Sequence, residues 1–453
     1  MHLKRSLILT LWVLVAACQG RPAHIPVMEA ALYDTSSVYY TDFSTYPQVR
    51  DQLPVGIFDS GTGGLTVMEA ILGSRLLDSE HYIYLGDQAN MPYGNYPAEG
   101  KTDFLRELIF KDALFLLGHR AKVLVVACNT ATAYGLDDIN AYLEESGSGI
   151  KAIGVIHAGV NATLNRMTPG EESAVGVLAT TGTVASGGYE RTFEKLSREK
   201  GCSGDLMVVS HGSMGFAEAV DGERDYVDPL ATAPRGSYRG PSEDHSSHRI
   251  DLSLLPAYGF DFSMGRMLYE GTPENPFRLQ LNAPENYARY HLLSLIEKLR
   301  ASEDPKPLRY LVLGCTHYPY QIETIRAMLQ ELRHYREGDR YPYRHLIAEN
   351  VDIIDPAFET AQQLYYTLLN DRILSHRLGT PSADFYISVP LRDPEHPERV
   401  DSLGRFTYEY KYGRLPGSTE RDTDIVPFSR DNIDPQTIER LQTLRYTRTL
   451  LPF

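Results

Sequence analysis

Two cysteines occupy matching positions in this chain. Cys128 closes the apolar run at 123–127 and Cys315 closes the apolar run at 310–314, and each is followed by polar side chains. A thiol ionises near ~8.5 and more readily at a helix N-terminus, so a cysteine in such a position can act as a base. Exchange of a proton at a carbon centre needs a base on one face and an acid on the other. A facing pair of cysteines would supply both, which is the chemistry of racemisation.

The two cysteines lie in an internal repeat. An apolar strand that runs into a glycine-rich turn occurs at 55–61 and again at 175–182, and each is followed by helical stretches and then by a cysteine strand. Apolar strands that alternate with helical segments indicate parallel sheets covered by helices on both faces. We therefore predict an α/β fold with two similar doubly wound parallel-sheet lobes related by pseudo-two-fold symmetry. Ligands bind beyond the carboxyl ends of parallel strands, so the active site is expected between the lobes.

Further elements complete each half of the repeat. We expect a third pair of strands at 152–156 and 351–355, and helices at 132–142 and 321–332, directly after the cysteines. The N-terminal N–H groups of these helices would favour a thiolate and could bind the carboxylate of a substrate.

The repeat also predicts domain boundaries, because its second half is much longer than its first and is interrupted by Pro-rich and Ser/His-rich stretches. The final segment does not continue the α/β pattern and receives no role. The predicted units are a signal segment (1–18), a tether (19–52), a first lobe (53–157 with about 350–383), a second lobe (158–349 with an insertion at about 222–290) and a C-terminal extension (384–453).

The N-terminus has the layout of a secretory signal. Lys4 and Arg5 precede an apolar run at 6–15, which is too short to span a bilayer, and small residues precede Cys18. This arrangement resembles a bacterial lipoprotein signal in which Cys18 becomes the lipidated first residue. We expect a lipid-anchored protein of the cell envelope that faces the periplasm and contacts the membrane only through its anchor. An ordinary signal peptide or a misassigned start, which would leave the protein cytoplasmic, is the alternative.

Composition excludes other classes of function. The net charge of −15 disfavours contact with nucleic-acid phosphates, and 42% hydrophobic residues are ordinary for a globular protein. The four cysteines contain no CxxC pair, and Cys202 lacks the setting of the other two, so it is interpreted as structural. His245 and His248 lie in a polar loop and are interpreted as solvent-facing, so no metal site is predicted.

Five motifs in chain order carry a family resemblance. They are Asp59-Ser60-Gly61, Pro92-Tyr93-Gly94, Ala127-Cys128-Asn129-Thr130, Thr180 with Thr183, and Gly314-Cys315-Thr316-His317-Tyr318-Pro319. Together they resemble bacterial glutamate racemase, of the aspartate/glutamate racemase family, over about 55–202 and 310–364.

The resemblance implies a two-base reaction without cofactor or metal, linked to D-glutamate for peptidoglycan. Cys128 would take the proton from the D-isomer and Cys315 from the L-isomer, with Asp59 and His317 as their respective polar helpers. The positions that match substrate-binding residues of the family are Ser60, Pro92, Tyr93, Gly94, Asn129, Thr130, Thr180, Thr183 and Thr316.

One position departs from the family pattern. The family has a glutamate in the second lobe, where this chain offers Asp221, one methylene shorter, with Glu218 as a rival. The small-molecule partner is therefore expected to be glutamate, with aspartate or another amino acid as the alternative substrate. A lipid-anchored protein that binds amino acids without turnover is a further alternative. A homodimer is also expected.

Overall fold

The protein is described by a computed structural model covering residues 24–168, 170–201, 206–376, 379–391, 393–417 and 422–453. The predicted signal segment 1–18, the lipidation site Cys18 and the third cysteine, Cys202, lie outside the described residues. Within the described residues, no helix combines the length and apolar character needed to cross a membrane.

Two parallel sheets form the centres of two lobes. The strands, numbered along the chain, are β1 (Val55–Asp59), β2 (His81–Gly86), β3 (Val123–Val126), β4 (Lys151–Gly154), β5 (Ala174–Ala179), β6 (Met207–Gly212), β7 (Met267–Thr272), β8 (Asn275–Leu281), β9 (Leu308–Gly314), β10 (Ile347–Ile354), β11 (Ser382–Pro390) and β12 (Thr423–Pro427). The first lobe contains the order β2-β1-β3-β4 and the second the order β6-β5-β9-β10. Because the two orders are equivalent and all these neighbours pair in parallel, the predicted repeat and fold class are confirmed.

Helices cover both faces of these sheets, as buried apolar strands require. They are α1 (Pro26–Tyr33), α2 (Leu65–Gly73), α3 (Thr102–Gly118), α4 (Asn129–Glu145), α5 (Val155–Arg166), α6 (Thr181–Ala185), α7 (Gly188–Glu199), α8 (Phe216–Val220), α9 (Leu255–Tyr258), α10 (Pro284–Arg300), α11 (Ile322–His334), α12 (Ala357–Asn370), α13 (Tyr408–Gly413) and α14 (Pro435–Leu441). The two cysteine strands, β3 and β9, are the third strands of their lobes. Because the strand orders are equivalent, Cys128 and Cys315 each lie at the carboxyl-terminal edge of their own sheet.

The third strand pair differs from the prediction. β4 ends at Gly154, and Val155 and Ile156 begin helix α5. β10 pairs with β9 in the second lobe, so the predicted assignment of residues from about 350 to the first lobe is wrong for this strand. The assignment holds for helix α12, which packs on α2 and α5 and buries Leu364 and Leu368 in the core of the first lobe.

The predicted tether differs from its interpretation, whereas the insertion is folded. From residue 24 onward the tether belongs to the first lobe, because α1 packs against α3 and buries Val27, Met28 and Ala31. The insertion consists of short helices and the antiparallel hairpin β7-β8, and it ends where α10 begins at Pro284.

The C-terminal extension continues the first sheet, which its sequence pattern did not predict. β11 pairs in parallel with β2, and β12 pairs with β11 in antiparallel orientation, so the first sheet has the order β12-β11-β2-β1-β3-β4. The extension then reaches the interface between the lobes through α13 and α14.

A buried ion pair fixes the base of the first lobe. The Lys122 ammonium lies 2.7 Å from a carboxylate oxygen of Glu80, and both side chains are at most 1% exposed. The same ammonium donates hydrogen bonds of 2.8 Å to the carbonyls of Asp51 and Ile373. One cation therefore joins the start of β3 to the segments before β1 and β2 and after α12.

Lys122→Met is expected to lower the free energy of unfolding by about 3–5 kcal/mol, because it leaves the Glu80 carboxylate buried without a cation. Urea denaturation followed by circular dichroism measures the change. Lys151→Met is the matched control: its ion pair with Asp371 is partly exposed and should contribute less than about 1 kcal/mol. Equal losses in the two variants would contradict the assignment.

Candidate active site

Cys128 lies between the end of β3 and the start of α4, as the sequence predicted. Its sulphur accepts a hydrogen bond from the N–H of Ala131 at 3.4 Å, and its thiol lies 3.8 Å from the Ser60 hydroxyl. The side chain is buried, with 6% exposure. The position at the N-terminus of α4 is thus confirmed.

The expected lowering of the Cys128 pKa by the helix N-terminus is outweighed by burial and by a neighbouring charge. Burial and the negative charge of Asp59 raise the pKa of this thiol, and the hydrogen bond from Ala131 only partly offsets them. The N–H groups of one helix end carry about half a charge, which is less than the desolvation and repulsion that the thiolate meets here. These surroundings favour the thiol form of Cys128, which can donate a proton.

Asp59 connects the two lobes beside Cys128. Its carboxylate accepts hydrogen bonds of 3.0 Å from the Gly61 N–H and from the Thr316 hydroxyl of the second lobe. Burial raises the pKa of Asp59, although the charge of His317 and these hydrogen bonds counteract the effect. The predicted neighbourhood of Asp59, Ser60 and Cys128 is present, and Thr316 joins it from the opposite lobe.

Cys315 ends β9 and lies beside an imidazole. Its sulphur is 3.5 Å from Nδ1 of His317, whose Nε2 lies 3.3 Å from a carboxylate oxygen of Asp221. Burial acts to lower the pKa of His317, but the charge and hydrogen bond of Asp221 and the contact with Cys315 raise it well above its usual value. His317 is therefore an imidazolium, which can present an N–H to the sulphur and another to Asp221.

The helix predicted at 321–332 is present as α11, but it does not begin directly at Cys315. A 3₁₀ turn at Tyr318–Gln321 intervenes, and α11 starts only at Ile322. A histidine, rather than a helix N-terminus, therefore provides the positive charge next to this cysteine.

Asp221 rather than Glu218 is the acid that contacts the Cys315 side. Its side chain is 3% exposed and accepts hydrogen bonds from Arg440 at 2.5 Å and from Gln88 at 3.4 Å. Burial alone would raise the pKa of Asp221, but the charges of Arg440 and His317 lower it, so the carboxylate is ionised. Arg440 was not among the predicted site residues, since it lies in the extension to which no role was given.

Glu218 is placed differently. It is buried, its carboxylate accepts a hydrogen bond of 3.3 Å from the Asn95 amide, and burial together with the charge of Glu223 raises its pKa to about 7. Near neutral pH this side chain is therefore only partly ionised.

Hydroxyl groups from both lobes meet at Thr130, two residues after Cys128. The hydroxyl oxygens of Thr130, Thr180 and Thr183 lie 2.9–3.0 Å from one another. The side-chain oxygen Oδ1 of Asn129 accepts a hydrogen bond of 2.7 Å from the hydroxyl of Tyr189 in the second lobe. These predicted binding residues therefore lie together and can offer hydroxyl and amide groups to a small polar molecule.

The turn containing Pro92, Tyr93 and Gly94 packs against the second lobe. A Cβ at Gly94 would lie 2.7 Å from the Thr180 side chain, so only glycine allows this approach. The Gly94 carbonyl accepts a hydrogen bond from Thr181.

The hydroxyl of Tyr93 is engaged by two buried carboxyl groups that the sequence analysis did not identify. It lies 2.7 Å from Asp112 and also contacts Asp87. A phenol has one proton, so it can donate to one carboxylate and accept from the other. Burial raises the pKa of Asp112 well above its usual value, which makes Asp112 the protonated partner.

The arrangement presents two thiols in different surroundings. Cys128 lies next to Asp59 and Ser60, and Cys315 lies next to the imidazolium of His317. Such a pair can withdraw a proton at one face and deliver one at the other. Over the part of the chain that the structure describes, no group of three or more His, Cys, Asp or Glu side chains is arranged to hold a metal ion.

Several known proteins to which this chain is similar are glutamate racemases. No protein-family profile matches the chain. It is 41% identical to a glutamate racemase of Oceanobacillus iheyensis over 337 residues, 74% of this chain and 87% of that protein. It is 40% identical to a glutamate racemase of Pediococcus pentosaceus over 339 residues, 75% of this chain and 90% of that protein. The solved structure of glutamate racemase isoform RacE1 from Bacillus anthracis matches 74% of this chain and 88% of its own, with 27% identity and a TM-score of 0.46.

Glu218→Gln is expected to stabilise the protein above neutral pH. Because the folded-state pKa is raised from 4.5 to about 7, the natural protein loses stability as pH rises through this interval, and the glutamine variant does not. The variant should be more stable by about 1–3 kcal/mol at pH 8 and about equally stable at pH 4.5, as measured by urea denaturation. The exposed control Glu349→Gln should change stability by less than about 0.5 kcal/mol at either pH. A gain that does not depend on pH would refute the burial argument.

Proposed function

Because the chain belongs to the glutamate racemase family, we propose that it interconverts L- and D-glutamate by a cofactor-independent two-base reaction of Cys128 and Cys315. The single observation that carries this proposal is the placement of two thiols at equivalent strand ends, one beside Asp59 and the other beside His317. A non-enzymatic binding protein would not need this pair of reactive groups.

The surroundings of the two cysteines suggest how the proton moves. With L-glutamate, the Cys315 thiolate, stabilised by the His317 imidazolium, would remove the α-proton. The Cys128 thiol, kept protonated by burial and by Asp59, would then deliver a proton to the opposite face of the carbanion. In the reverse direction the two sulphurs exchange roles. The hydroxyl groups of Thr130, Thr180 and Thr183 would offer neutral donors to the carboxylates of the substrate.

Solvent-deuterium exchange tests this proposal directly. The purified, reduced protein in D₂O should incorporate deuterium at the α-carbon of both glutamate enantiomers while racemising them, as measured by NMR and chiral chromatography. Cys128→Ala and Cys315→Ala should each lower the racemisation rate by roughly 10²–10⁴-fold, because each removes one acid–base group. Cys202→Ala is the matched cysteine control and should retain the rate.

The outcome also decides between substrates. Exchange with aspartate but not with glutamate would support the shorter acid Asp221 as a determinant of specificity and would overturn the assignment of glutamate. No exchange with any amino acid, together with binding unaffected by Cys128→Ala, would instead identify a binding protein.

We further propose that the protein is exported and lipid-anchored at Cys18, so that it would interconvert L- and D-glutamate at the cell envelope. The support is the basic, apolar and small-residue pattern of the N-terminal segment. The described chain packs on the first lobe from Ile25 onward, so a link from Cys18 would span at most about 25 Å. An anchored enzyme would therefore lie close to the membrane surface.

Fractionation of cells that express the full chain tests the anchor. The natural chain should sediment with membranes and become soluble with detergent, whereas Cys18→Ala should not acquire a lipid, as mass spectrometry of the N-terminal peptide would report. Recovery of the natural chain as an unmodified cytoplasmic protein would reject the proposal and favour the misassigned start.

A further inference from the structure

The C-terminal extension brings a buried cation to the Cys315 side of the site. Arg440 of helix α14 donates to an Asp221 carboxylate oxygen at 2.5 Å, to the Thr62 hydroxyl at 3.1 Å and to the carbonyl of Val220. Its guanidinium carbon also lies 5.2 Å from the centre of the Tyr320 ring. One side chain therefore contacts the glycine-rich turn of the first lobe and two elements of the second.

The extension is held firmly enough to position this side chain. Asp434 caps α14 through a hydrogen bond from Gln436, and Leu441 is fully buried. After the helix, the Glu69 carboxylate of α2 accepts hydrogen bonds of 2.8–3.0 Å from the backbone of Tyr446 and Thr447. The helix is thus capped at its start and tied to the first lobe by the residues after Arg440.

Arg440 is the first of four groups in contact, a cation, an anion, a cation and the thiol of Cys315. The guanidinium lies against Asp221, Asp221 lies 3.3 Å from Nε2 of His317, and Nδ1 of His317 lies 3.5 Å from the sulphur of Cys315. Asp221 is shorter than the glutamate expected at this position, and the arginine supplies a second contact that fixes its carboxylate. Without Arg440, the pair of Asp221 and His317 would have no net charge, and the sulphur would face a less positive environment.

We propose that Arg440 is a positioning residue for racemisation, which fixes Asp221 against His317 and keeps the surroundings of Cys315 positive. This inference rests on the proposed function, because it assigns a part in that reaction to the extension. The other ionisable groups that interact with His317 or Asp221 are Asp59, Tyr84, Glu218, Glu223, Cys315 and Tyr320. Since these are acids, Arg440 and His317 are the cations of this described group.

Alkylation of the cysteines measures the effect without substrate. The full-length protein is treated with iodoacetamide at pH 7.5, and peptide mass spectrometry gives a separate rate for Cys128 and for Cys315. Because the thiolate is the reactive form, Arg440→Met should slow alkylation of Cys315 about tenfold, and it should change Cys128 much less. Arg440→Lys, which keeps the charge, should restore the Cys315 rate to within about threefold.

The matched control is Arg448→Met, which removes an arginine from the same extension; Arg448 bonds only weakly to the Gln442 carbonyl. It should leave both rates unchanged. If Arg440→Met destabilises the fold in thermal unfolding, Arg440→Gln provides the same loss of charge with a polar side chain. Equal slowing of Cys128 and Cys315, or no slowing of Cys315 in folded Arg440→Met or Arg440→Gln, would overturn the proposal.

Racemisation kinetics give a second readout. Arg440 is placed behind Asp221, so its removal should lower kcat about tenfold and change KM less than about threefold. Both enantiomers have the same free energy, so kcat/KM must fall equally in the two directions. A rise in KM with unchanged kcat would contradict a positioning role. Because alkylation needs no turnover, a protein inactive towards glutamate could still support or refute the role of Arg440.

Discussion

A carboxylate that is removed from water between two lobes must have cations around it, and Asp221 has two. His317 of the second lobe and Arg440 of the C-terminal extension contact the same side chain. The charge on His317, the environment of Cys315 and the docking of helix α14 all follow from this buried interaction. The lobes and the extension consequently depend on one another at the point where the chemistry takes place.

The two cysteines are equivalent in the fold but different in their electrostatics. Equivalent strand orders place each at the carboxyl end of the third strand of its sheet. Asp59 then opposes a negative charge on Cys128, whereas the charged imidazole of His317 lies 3.5 Å from the sulphur of Cys315. An acid and a base are both needed at any moment in a two-base reaction, so this asymmetry suits a pair of chemically identical side chains.

Contacts between the lobes explain why so many polar residues are buried. Thr316 donates to Asp59, Tyr189 donates to Asn129, and the hydroxyl of Thr130 meets Thr180 and Thr183. Each contact pairs a residue that follows a strand of one lobe with a residue of the other. Buried polar groups are costly unless they find partners, and here the partners come from the opposite lobe.

The amino-acid sequence by itself determined the parallel α/β repeat, the positions of Cys128 and Cys315 at strand ends, and most of the polar residues around them. These features are encoded locally, because apolar runs, glycine-rich turns and short motifs lie within a few residues of one another. Only the tertiary structure decided that Asp221 rather than Glu218 pairs directly with His317, that burial and Asp59 raise the pKa of Cys128, and that Arg440 joins the site. Arg440 lies 219 positions from Asp221, and no periodicity links them. Burial and charge pairing depend on which distant segments pack together, and local sequence patterns do not contain that information.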